Sequence, residues 1–159
     1  MDRLYFHIPV SYSRKKNRLW HDFNITYIIK LGTMNEELRI QLVMSKMGMI
    51  TYLADDGSLT MGVAMIQSVS ASEIRLFTYL ENVIASELER RPNLVLTVQD
   101  TEQELFLAVS GEASVEEDDE LAAKLWNENN GNWFETKETD KHVFLINLAV
   151  TNIYRWPSD

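Results

Sequence analysis

The residue types best suited to chemistry are sparse in this sequence, and their spacing argues against most catalytic devices. Cysteine is absent, which excludes thiol nucleophiles, Cys-ligated zinc and disulfide frameworks. His7, His21 and His142 lie far apart, without the short spacing that lets imidazoles share a metal ion. There is no Gly-x-Ser-x-Gly elbow, Walker-type loop or His-Glu-x-x-His string, so the local signatures of a serine hydrolase, an NTPase and a zinc peptidase are all missing. The carboxylate run Glu116–Glu120 has ligand chemistry, but a block of like charge reads as a solvated helix start rather than a metal site. One short string does offer a binding device. Thr78-Tyr79-Leu80-Glu81 sets a hydroxyl and a carboxylate three residues apart, the capping-box spacing. That hydroxyl either caps a helix or, because the same N–H groups attract anions, faces a phosphate. No catalytic acid, base or nucleophile is assigned.

The bulk properties narrow the classes further. A chain of 159 residues is the size of one domain with a single core. A formal charge of −9 argues against general nucleic-acid binding, which needs a surplus of Lys and Arg to neutralise phosphates. No apolar run approaches the roughly 18 residues of a membrane span, and the N-terminus lacks a secretory pattern, so the expected location is the cytoplasm, away from membranes. The charge is uneven: Arg3, Arg14, Lys15, Lys16, Arg18 and Lys30 face only Asp2 and Asp22 within residues 1–33, while the remainder is strongly acidic. Residues 1–33 are therefore either an extension whose Arg14-Lys15-Lys16-Asn17-Arg18 cluster binds an anionic partner, or upstream sequence ahead of a start at Met34. The charge break and the good helix start at Asn35 favour the second reading.

Hydrophobic periodicity then places the elements that would carry any site. Leu38, Leu42 and Val43 predict a helix over 35–47, capped by Asn35 and stopped by Gly48. Met49–Ala54 and Leu59–Val69 read as strands joined through Asp55-Asp56-Gly57-Ser58, whose Asp-Gly pair suits a tight hairpin. Ile74–Tyr79 is a third strand, with Ile74, Leu76 and Thr78 on one face and Arg75, Phe77 and Tyr79 on the other. A helix through Leu80, Ile84 and Leu88 follows and closes at Pro92. Leu94–Val98 and Leu105–Val115 form an antiparallel pair about an acidic turn near Asp100–Gln103. Ser114-Val115-Glu116-Glu117 offers a second capping box for a helix over Glu117–Trp126, which buries Leu121, Leu125 and Trp126. Asn127–Asn132 reads as a polar loop, and His142–Trp156 as the closing strand. About six strands in hairpin order with short helical inserts predict a mainly β, six-stranded antiparallel barrel.

Four strings then fall in a telling order: the opening helix leading into Ile50-Thr51-Tyr52-Leu53-Ala54; Leu76-Phe77-Thr78 with Pro92 fourteen residues on; Val109-Ser110-Gly111-Glu112-Ala113; and Leu125-Trp126-Asn127 running to Trp133-Phe134. Across residues 34–156 their order and spacing resemble the general-stress-protein branch of the pyridoxamine 5′-phosphate oxidase-like, FMN-binding split-barrel family. The resemblance implies a homodimer holding FMN noncovalently at the subunit interface, and a flavin-dependent oxidoreductase-like function of unspecified substrate. It implies cofactor-facing roles for Thr78, Tyr79, Asn82 and Trp133, with Arg75 adding charge from the strand beside them. Each has a plainer reading: Thr78 as a cap, Asn82 as a solvated first-turn residue, Trp133 as interface packing, Arg75 as an exposed strand arginine. The sequence also departs from the family pattern. Thr60–Met65 carries no arginine, Asn82 and Ile84 stand where a serine and a lysine are usual, and Glu112 follows Gly111 where an arginine is common. These departures motivate the alternative, a non-enzymatic dimeric module that has lost flavin and binds another small ligand or a protein partner.

Overall fold

Strands that carry a regular apolar face must hide it, and here six of them do so by closing on each other. In the computed structural model the described residues are 33–54, 56–79, 88–102, 104–134 and 143–156. The strands are β1 (Met47–Leu53), β2 (Leu59–Val69), β3 (Glu73–Tyr79), β4 (Asn93–Asp100), β5 (Leu105–Val115) and β6 (Val143–Trp156). They form a closed barrel in the order β1-β2-β3-β6-β5-β4, and every neighbouring pair is antiparallel. Closure leaves none of the six described strands as a sheet edge. The mainly β, six-stranded split-barrel architecture expected from the sequence is the one observed.

The alternation decides what lies inside. Ile50, Ile74, Leu76, Leu96, Leu107, Val109, Ile146 and Leu148 are fully buried and form one continuous core. One end of that core is plugged by helix α1 (Glu36–Ser45), which contributes Leu42 and Leu38. Asn35 caps α1 as expected, its Oδ1 accepting from the Leu38 N–H at 2.9 Å. Met34 is buried, and its N–H donates to the Ala71 carbonyl at 2.6 Å.

The β1–β2 hairpin also follows its sequence signal. Gly57 turns at φ +83°, a conformation that costs glycine little. The Asp56 carboxylate accepts from the Ser58 N–H at 2.8 Å, and bonds to Ser58 hold its carboxyl below the usual range.

Several expected boundaries move. Helix α1 ends at Lys46, at φ 60°, and Gly48 lies inside β1. A Cβ on Gly48 would stand 2.5 Å from the Thr97 carbonyl, so the glycine serves close strand approach rather than helix termination. Ser114 does not cap a helix, because β5 stays paired with β6 as far as Val115 opposite Ile146. The cap is Asp118, which accepts from the Leu121 N–H at 2.9 Å and opens α2 (Asp119–Leu125). The polar stretch expected to be a loop is helix α3 (Glu128–Phe134). Its Asn and Gly residues favour turns, but burial of Asn130 and packing of Phe134 outweigh that preference. The expected helix through Asn82 and Ile84 lies outside the described residues except for its buried Leu88, within helical residues 88–90.

Helices α2 and α3 cover part of the barrel's outside. Met65, Phe77, Val143 and Leu145 point outward and are buried beneath Leu121, Leu125, Trp126 and Phe134. Phe77 meets Trp126 edge-on at 5.0 Å between ring centroids.

Candidate functional site

The four described candidate residues, Arg75, Thr78, Tyr79 and Trp133, do not converge on one point. On β3 the pleat turns Arg75, Phe77 and Tyr79 outward and Thr78 inward. Thr78 is fully buried, and its hydroxyl donates to the Val63 carbonyl at 2.8 Å. The proton a phosphate oxygen would accept is therefore already committed to β2. Arg75 lies between Glu73 and Glu116, each 3.8 Å away, so its charge is balanced on both sides. Tyr79 is half-exposed at the end of β3, and Trp133 is half-exposed on α3. Asn82 lies outside the described residues.

A polar junction escaped the sequence reading. β2 carries an irregularity between Ile66 and Ser68, opposite Leu76 and Arg75, and Gln67 sits at that break. Its amide donates to Asn130 Oδ1 at 3.0 Å and accepts from Asn130 Nδ2 and Asn127 Nδ2, both at 3.2 Å. Asn130 is fully buried, so this paired amide fixes the start of α3 against the barrel. A glutamine within the apolar run Met65-Ile66-Gln67-Ser68-Val69 was its only sequence signal.

The larger feature is a surface. Outward positions on β1 are Met49, Thr51 and Leu53, and on β2 Leu59, Met61 and Val63; Met49 lies opposite Val63, Thr51 opposite Met61, and Leu53 opposite Leu59. The rows continue onto β4 through Val95 and Thr97, and onto β5 through Ser110 and Ala108. Leu59 and Met61 are 73% and 68% exposed, and Met49 and Leu53 about 40%. Among the described residues of these four strands, Glu112 is the sole charge at an outward position. At the margin of this face lies an open cleft of about 470 Å³, lined by Gln99, Asp100, Thr101, Glu104, Leu105, Phe106 and Trp156. Phe106 packs edge-on against Trp156 at 5.4 Å, and Tyr154 stacks on Trp156 at 6.2 Å.

The electrostatics of this region are one-sided. A phosphate monoester brings about −1.5 to −2 charges and needs cations or clustered N–H groups. Among the described residues, Arg75 is held by two glutamates, Arg91 donates to the Ala54 carbonyl at 2.7 Å, and Arg155 pairs with Glu37 at 3.3 Å. None stands at an outward position of β1, β2 or β4. The aromatic cleft suits a flat ring, but these residues do not fit the phosphate of FMN. No group of three or more potential metal ligands occurs among the described residues, and no helix among them is long and apolar enough to cross a membrane.

Known structures share this fold. A Clostridium acetobutylicum protein related to general stress protein 26 of B. subtilis, of the pyridoxinephosphate oxidase family, matches with TM-score 0.63 at 17% identity, covering 79% of this chain and 93% of that one. General stress protein 26 of Bacillus anthracis matches with TM-score 0.58 at 21% identity, covering 75% and 93%. The general stress FMN/FAD binding protein of Xanthomonas citri matches with TM-score 0.58 at 22% identity, covering 77% and 89%. At these identities the likeness is one of fold. No curated protein sequence matches this one. The sequence itself matches the family described as pyridoxamine 5′-phosphate oxidase like over residues 34–159, from the buried Met34 through the whole barrel, and the chain belongs to that family.

Proposed function

We propose that the chain works as a homodimer that binds a flavin ring between its copies, as a flavin-dependent oxidoreductase-like protein. The outward face of β1, β2, β4 and β5, on which Glu112 is the sole charge among the described residues, is the observation that carries this reading. In a chain of net charge −9, most outer surfaces repel their own copies. A two-fold dimer brings one patch against itself, and a face nearly free of charge does so with little like-charge contact. Exposed methionine and leucine with charge depleted is also the composition of an interface core. The cleft beside it has the volume of a small-molecule site, and Phe106 and Trp156 offer aromatic surface to a flat ring. The Xanthomonas citri relative described as FMN/FAD binding supports flavin as that ring. Redox chemistry would be supplied by the ring, and the chain's part is to hold and orient it.

A dimeric module without flavin is the second reading, favoured by the prior engagement of Thr78 with Val63 and of Arg75 with two glutamates. Light scattering combined with titration of riboflavin and FMN tests both. A monomer at micromolar concentration would remove the dimer, and a dimer that takes up neither flavin at high micromolar concentration would leave only the second reading.

A further inference from the structure

We propose that Met49 and Met61 form an oxidation site, at which a hydroperoxide converts thioether to sulfoxide and so separates the two copies. The inference rests on the dimer reading above and names a regulation of that same face.

The methionines are not spread through the chain. All of them but Met1 lie within residues 34–65. Met47 and Met49 on β1 and Met61 and Met65 on β2 occupy the outward side of one hairpin, with Met47 directly opposite Met65. Their exposure is graded along it. Met65 is 3% exposed, and Met47 packs partly buried against the same outer cluster. Met49 is 41% exposed and Met61 68%. The accessible pair therefore falls on the bare part of the wall, where Leu59 is the next outward residue on β2 after Met61. The chain holds no cysteine, so no thiol competes for the oxidant.

In the step, the O–O bond of the peroxide breaks and an S–O bond forms. The sulfur gives up two electrons, and the peroxide leaves as water or an alcohol. A flexible apolar side chain becomes a polar one. Burying a sulfoxide between the copies costs its hydration, and two-fold symmetry places each lesion in the interface twice. Met44, 66% exposed on α1 rather than on this wall, offers an internal control.

The test treats the full chain with hydrogen peroxide at protein concentrations above and below the dissociation constant of the dimer. Peptide mass spectrometry locates the sulfoxides, and light scattering follows association. Oxidation at Met61 should quicken on dilution, as the copies part and uncover it, while Met44 oxidises at one rate throughout. Modification of Met49 and Met61 should weaken association on the order of a hundredfold. In the double variant Met49→Leu, Met61→Leu, peroxide should leave the association constant wherever it started. In Met44→Leu it should weaken association as in the parent chain. A chain oxidised at Met61 that stays as firmly dimeric overturns the inference and leaves the dimer reading standing. A rate at Met61 that ignores dilution overturns it too, by placing the interface elsewhere. Loss of the response in Met44→Leu assigns the effect to α1 and overturns it as well. A chain that is monomeric before peroxide is added removes the dimer reading, and this inference with it.

Discussion

On the outside of β3, β6 and the second half of β2 the barrel is covered by its own helices, whereas on the outside of most of β1 and the first half of β2 it is bare. The covered stretch holds Met65, Phe77, Val143 and Leu145 beneath Trp126 and Phe134. The bare stretch holds Met49, Leu53, Leu59 and Met61. Both are apolar, and both follow from the period-two pattern of their strands. The difference lies in what the chain places over them. Where a helix can reach, fixed by the Gln67–Asn130 amide pair, the apolar wall becomes a second core. Where none of the described helices reaches, an equally apolar wall stays exposed. In the proposed dimer a second copy would cover that wall without introducing charge.

The comparison breaks most readily on the covered side. Phe77→Ala removes the centre of the outer cluster and is expected to cost about 3–5 kcal/mol, read as a loss of denaturation midpoint. If the loss is under about 1 kcal/mol, the helices lie loosely and the two faces are less different than described. On the bare side, Leu59→Lys with Met61→Lys places like charges on a self-facing surface. The expected result is dimer dissociation equivalent to about 2–4 kcal/mol, seen by light scattering, with the barrel's circular dichroism retained. A dimer that persists would move the interface elsewhere.

Smaller effects sharpen the contrast. Asn130→Ala leaves Gln67 without its buried partner and should destabilise by about 1–3 kcal/mol, with loosened packing around Trp126 visible in tryptophan fluorescence. Asp118→Ala removes the cap of α2 and should cost about 1 kcal/mol, measured by denaturation. The smallest effect belongs to the bare side's own hairpin. The depressed Asp56 carboxyl contributes stability that is present above its unfolded pKa and lost as pH falls through the folded value. In Asp56→Ala that part of the acid dependence should vanish, and amide exchange at Ser58 should quicken at neutral pH.

The strands were legible because alternation survives in each, most plainly in Leu105–Val115. Asn35, Gly57 and the inward side of Ile74, Leu76 and Thr78 also followed from local chemistry. The helix from Glu128 to Phe134 did not, since its Asn-rich sequence has turn propensity and becomes helical through contacts with Gln67, distant in sequence, and through packing of Phe134 on Trp126. Gly48 misled for a related reason. A glycine after an apolar helical run looks like a stop, but the carbonyl that requires it belongs to Thr97.

The candidate site divided along the same line. Sequence alone determined which residue types were present: no cysteine, scattered histidines, a sparse supply of cations after Arg18, and an ordered set of strings marking the family. Residue type does not say what a side chain is already bonded to. Tertiary structure decided that Thr78 donates to Val63, that Arg75 is held between two glutamates, and that Phe106 and Trp156, fifty residues apart, form one aromatic wall. Local propensity acts within a few residues of chain, whereas barrel closure pairs strands far apart in sequence. The engagement of a hydroxyl or a guanidinium is settled only when those pairs form.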